Sequence, residues 1–98
     1  MAKILFPSSY KQALLSGEKT MTIRIFEEVG KYQEGEVCRA TSYAGEDWGV
    51  EIRITEVVPT EVSRLTNHGI PQSEIDILME REGVSPDTSA EILSFEKV

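Results

Sequence analysis

Apolar and polar positions alternate most strictly over residues 20–25, where Met21, Ile23 and Ile25 fall on one side and Thr20, Thr22 and Arg24 on the other. The same period of two recurs at residues 49–58, with Val50, Ile52 and Ile54 opposite Glu51, Arg53 and Thr55, and less sharply at 36–43. Ala44, Gly45, Glu46 and Asp47 read as the turn between these last two runs, which predicts an antiparallel hairpin. A four-residue apolar run at 3–6 predicts a first strand ended by Pro7, and Ile92, Leu93 and Phe95 mark a last strand within 90–98. Helical spacing is confined to two short stretches. Tyr10, Ala13 and Leu14 follow a capping-box pattern of Ser9 and Gln12, and Gly17 suits the left-handed residue after the last turn. Ser73 reads as the cap of a second helix with Glu74 and Asp76 in its first turn, Ile75, Leu78 and Met79 as its stripe, and Gly83 as its end. Between sheet and helix, Pro59 is expected to stop the strand, residues 60–65 to form one helical turn, and 67–71 a loop. Strands outnumber helices, so the pattern predicts an α+β fold: a small, strongly bent antiparallel sheet or barrel with short helices at its ends.

Composition narrows this further. Ninety-eight residues allow one domain over positions 1–98, and 40% hydrophobic with 28% charged residues is globular rather than disordered. The formal charge of −7 argues against an extended track for duplex DNA or an anionic lipid surface, both of which need a broad basic face. The charge is uneven. Residues 1–43 carry six basic and five acidic side chains, residues 44–98 four and twelve, so an anionic ligand is expected to meet the first half. The lone Cys38 leaves no disulfide and no thiolate cluster, and in a strand beside Arg39 it reads as a buried, inert thiol. No cofactor or metal site is expected from one Cys and one His. No leader and no run approaching a membrane span is recognisable, so the chain reads as cytoplasmic.

The densest polar cluster is Gly17-Glu18-Lys19-Thr20-Met21-Thr22-Ile23-Arg24. Thr22 and Arg24 share a strand face, and Lys19 sits where it can bend over that face. Two cations and a hydroxyl in one volume suit a phosphate or carbonyl oxygen, and a desolvated neutral lysine can accept a hydroxyl proton. The same spacing also fits a solvated strand face. His68 is the only histidine and a candidate proton-transfer group; Trp48, Tyr43 and Tyr32 flank turns, where rings can stack on a base or cap the core.

Leu14-Leu15-Ser16-Gly17-Glu18-Lys19-Thr20 followed by Thr22-Ile23-Arg24 resembles the signature of the ASCH domain, a branch of the PUA-like superfamily. The likeness continues through Tyr32-Gln33-Glu34-Gly35-Glu36-Val37, Ile52-Arg53-Ile54-Thr55-Glu56-Val57 and Ile92-Leu93-Ser94-Phe95-Glu96, almost the whole chain. It implies a PUA-like β-barrel, a cleft floored by Lys19, Thr22 and Arg24, and a ligand among RNA, nucleotides and modified nucleosides. One small bacterial branch hydrolyses the acetyl amide of N4-acetylcytidine. There the motif Lys and Thr, matching Lys19 and Thr22, are catalytic together with a Glu after the last barrel hairpin. Counting back from the second helix, that Glu position falls on His68, and the nearest acid in the helix is Glu74.

The expectation is a cleft that binds RNA, a nucleotide or a modified nucleoside, with Arg24, Thr20, Tyr43 and Trp48 holding it. Chemistry enters in two forms. Thr22 attacks an amide with Lys19 as base and His68 protonating the leaving amine, or His68 acts as base in metal-free RNA cleavage. The remaining alternative is a regulatory interaction domain with no chemistry.

Overall fold

The computed structural model describes residues 2–98. Its strands are β1 (Ala2–Phe6), β2 (Met21–Ile25), β3 (Val37–Ser42), β4 (Asp47–Glu61) and β5 (Ser89–Lys97), and its helices are α1 (Lys11–Ser16) and α2 (Gln72–Glu82). Short 3-10 segments occupy Ser8–Tyr10, Phe26–Glu28 and Val62–His68. The five strands form one sheet in the order β1-β3-β4-β5-β2, so β1 and β2 are its two edges. The β3–β4 hairpin lies where the alternation predicts it, antiparallel with Cys38 opposite Ile52. The β4–β5 and β2–β5 pairs are antiparallel too, but β1 runs parallel to β3, with Ile4 beside Ala40.

Two irregularities curl this sheet. Between Ala40 and Thr41 the β3–β4 register slips, with Gly49 at φ 70° and its N–H donating to Asp47 Oδ1 at 2.8 Å. Between Ile54 and Glu56 the β4–β5 register slips by Thr55, which exchanges the two faces of β4. Val50, Ile52 and Ile54 therefore face the inside of the curl with Phe6, Leu14, Cys38, Leu93 and Phe95, whereas Val58 packs on the outer side. That outer side forms a second core, where Val62, Leu65, Ile70 and Ile75 cover Ala90 and Ile92 and the apolar face of β2. Buried on both faces, β5 reads as the near-continuous apolar run Ala90 to Leu93, with only Glu91 polar.

Three local expectations are corrected. Pro59 does not stop the sheet: β4 continues to Glu61, with Pro59 opposite Glu91. The β3 partner ends at Arg53, so this half of β4 has one side free, where a residue lacking an N–H is tolerated. Ser9 and Ser73 do not cap. The chain enters α1 through a 3-10 turn and α2 through Pro71, and neither first turn receives a side-chain hydrogen bond. Gly17 and Gly83 do end their helices in the left-handed region, at φ 80° and 65°.

Among the described residues no helix is long and apolar enough to cross a membrane.

Candidate functional site

A hollow of about 630 Å³ wraps the free edge of β2. The end of β1 with Pro7 and Tyr10 forms one wall, and α2 forms another. The floor carries Lys19, Thr22 and Arg24, the three residues that the alternating pattern and the ASCH-like motif single out together.

Each is delivered by a distinct device. Gly17 turns the chain out of α1, and the Lys19 N–H then donates to the Ala13 carbonyl at 3.1 Å, which fixes the lysine just ahead of β2. The Thr20 carbonyl accepts from the Phe95 N–H at 2.8 Å, where the pairing of β2 with β5 begins. From there the period of two aims Thr22 and Arg24 inward and packs Met21, Ile23 and Ile25 outward.

Arg24 is buried at the seam where the sheet edges approach. Its Nη1 donates to the Leu5 carbonyl of β1 at 2.9 Å, and its guanidinium carbon lies 5.0 Å from the Phe6 ring centre. Its Nε and Nη2 have no partner although both are buried. The cross-strand neighbour Glu91 is also buried, but its Oε1 accepts from the Gly30 N–H at 2.8 Å, and no ion pair joins it to Arg24. A buried cation with two unused donors is costly, and it makes Arg24 the least satisfied polar side chain of the hollow among the described residues.

Lys19 is half-buried, with its Nζ 4.4 Å over the centre of the Tyr10 ring and no ion-pair partner among the described residues. Burial lowers its pKa, the Arg24 charge lowers it further, and the Glu74 carboxylate pulls it back up. This is the environment of an amine that can serve as a base.

The other expected residues divide. Tyr43 is exposed and lines the hollow, its N–H donating to the Phe6 carbonyl at 3.3 Å. Thr20 is exposed and does not line it. Trp48 lies in the inner core with its indole N–H unpartnered, so it caps packing rather than presenting a ring to ligand. Tyr32 is likewise buried, its hydroxyl donating to Glu28 at 3.1 Å, and burial raises its pKa. Cys38 is the buried thiol expected, and burial pushes its pKa up to about 11.

His68 is not in the hollow. It ends the 3-10 segment Val62–His68, exposed, and lines a separate shallow groove with Arg64 and Asn67. Both chemical schemes that relied on His68 lose their proton-transfer group. In its place α2 brings Glu74, with Leu78 and Arg81 at the helical spacing of one face. The hollow is also less positive than the first half of the chain suggests, because Glu27, Glu28, Glu74 and Glu82 outnumber Lys19, Arg24 and Arg81.

The chain is 30% identical over 77 residues to the N(4)-acetylcytidine amidohydrolase of Shewanella sp. (strain ANA-3), covering 79% of this chain and 69% of that protein. The protein of the same name from Shewanella sp. (strain MR-4) is also 30% identical, over 79% of this chain and 74% of its own length. No protein-family model matches the chain. Among solved structures, a DUF984 protein of Enterococcus faecalis V583 superposes over 100% of this chain and 80% of its own, with a TM-score of 0.68 and 16% identity. An ASCH domain from Lactobacillus crispatus JV V101 superposes over 91% of this chain and 70% of its own, with a TM-score of 0.56 and 14% identity. The fold is thus the α+β, PUA-like half-barrel of an ASCH domain, with one parallel pair in an otherwise antiparallel sheet.

Proposed function

The chain belongs to the ASCH domain family, in the branch of the N(4)-acetylcytidine amidohydrolases, and from that membership and the hollow we propose that it hydrolyses the acyl amide of an N4-acylated cytosine nucleoside. The observation that carries this reading is an unpaired, half-buried lysine sharing one hollow with a hydroxyl and a buried guanidinium.

Thr22 Oγ bonds to the acyl carbon, and its proton passes to neutral Lys19 Nζ. The carbonyl oxygen becomes an oxyanion stabilised by the positive charge of the Arg24 guanidinium, which the Leu5 carbonyl holds in place. The C–N bond then breaks, and the exocyclic nitrogen takes the proton from the Lys19 ammonium. A water molecule hydrolyses the Thr22 ester with Lys19 again as base, releasing the carboxylic acid and restoring the hydroxyl. Glu74 supports the ammonium form between these steps, and Lys19 itself protonates the leaving amine, the role that sequence alone assigns to His68.

The test is release of acetate and cytidine from N4-acetylcytidine. Wild-type protein is expected to release both in equal amounts, and Lys19→Ala and Thr22→Ala each to lower the rate by at least about 100-fold. His68→Ala is expected to keep it. A wild-type preparation that releases no acetate overturns the reading.

A further inference from the structure

We propose that Phe26 is a base-stacking residue of this hollow, a role resting on its reading as a nucleoside site. Tyr10, Phe26, Tyr43, Ile77 and Val98 are the large apolar residues left exposed among those described, and the first four all line the hollow. Apolar surface that folding leaves in water is thus gathered at one mouth, above a floor of hydrogen-bonding groups.

Phe26 stands apart within that set. Its φ of 54° makes it the one described non-glycine residue in the left-handed region. Glycine or asparagine adopts that backbone readily, whereas a bulky aromatic residue does so at a cost in free energy. Packing does not offset the cost: Phe26 is 53% exposed and belongs to neither core. Nor does the turn need a ring, since the hydrogen bond that closes it runs from the Val29 N–H to the Phe26 carbonyl at 3.1 Å. What phenylalanine adds is a flat face, held at the mouth next to the edge strand that carries Thr22 and Arg24.

Tyr43 reaches the same hollow from the turn between β3 and β4, tied to the edge strand β1 through Phe6. Two rings at one mouth, over a hydroxyl and a buried guanidinium, fit a ligand with a planar aromatic body and a polar rim. A nucleobase has both, and a base stacks on any aromatic face.

Cytidine binding, followed by NMR titration alongside thermal unfolding, tests this directly. Phe26→Asn removes the ring and relieves the backbone, so its melting temperature should equal or exceed that of the wild type while cytidine affinity falls about ten-fold. Phe26→Leu, which keeps apolar bulk without a π face, should lose affinity comparably, and Phe26→Tyr should retain it. Wild-type affinity in Phe26→Asn or Phe26→Leu overturns the stacking role while leaving the nucleoside site intact. A melting temperature that drops in Phe26→Asn with affinity kept assigns the ring to folding and overturns it too. No cytidine binding by the wild type would reject the nucleoside reading itself, and the stacking role with it.

Discussion

Lys19 is pulled in opposite directions by its charged neighbours, and that makes its role readable. Burial and Arg24 both favour the neutral amine, while Glu74 favours the ammonium. If neutral Lys19 is the base, activity falls as pH drops through its lowered pKa. Glu74→Gln removes a negative charge, lowers that pKa further, and should move the acid limb of the kcat/KM profile to lower pH. Arg24→Gln removes a positive charge, raises the pKa, and should move the limb to higher pH, with the rate also reduced because that charge no longer stabilises the oxyanion. Opposite shifts in the two variants are the expected outcome of a pH–rate series; shifts in the same direction, or none, would remove Lys19 as the titrating base. At this scale the sequence made Thr22 and Arg24 visible because a two-residue period fixes a common face without knowledge of the fold, and Lys19 because it stands just ahead of that strand. It could not make Glu74 visible, because whether α2 turns that residue toward β2 depends on which side of the sheet the helix covers. His68 failed for the same reason, as a count along the chain ignores the 3-10 segment that turns it away.

At the level of elements, what was legible is what short-range physics dictates. Strands with strict alternation were found where expected, and so were helix ends that need a left-handed residue. The continuation of β4 through Pro59 was not, because the tolerance of proline there comes from the early end of β3, a long-range fact. A trace of it exists in the sequence, since the alternation that runs through Thr55 breaks at Glu56, polar where an apolar residue is due, and resumes out of phase with Val57 inward and Val58 outward. The parallel placement of β1 beside β3 leaves no local mark at all. The element that matters most to the site is the turn between α1 and β2. Gly17, at φ 80° and ψ 8°, has open space around the position of a Cβ, so a substitution there acts through backbone strain alone. Gly17→Ala should cost about 1 kcal/mol, a fall of roughly 4–8 °C in melting temperature for a domain of this size. Because the Lys19 N–H hangs on the last turn of α1, the same variant should lose activity beyond its loss of stability at temperatures where it is fully folded. Calorimetry and acetate release on one preparation check both; an unchanged melting temperature would show that the turn is not strained by a side chain.

For the whole molecule, charge decides between ligands that share a base. The formal charge is −7, and the acidic second half does not stay away from the site, because α2 brings Glu74 and Glu82 to its wall while Glu27 and Glu28 follow β2. A phosphate entering this hollow meets more carboxylates than cations, and one of those cations, Lys19, is the group whose charged form burial disfavours. An uncharged nucleoside meets no such opposition, and its carbonyl oxygen is still attracted by the Arg24 charge. N4-acetylcytidine should therefore be turned over with a higher kcat/KM than its 5′-monophosphate. The origin of the gap is testable through salt, since long-range repulsion is screened as the Debye length shrinks from about 30 Å at 0.01 M to about 3 Å at 1 M. Comparison of the two substrates across that range should show the monophosphate gaining on the nucleoside as salt rises. A monophosphate preferred at low salt would mean that Lys19 and Arg24 outweigh the acidic wall, and the hollow would then be a nucleotide or RNA-end site after all.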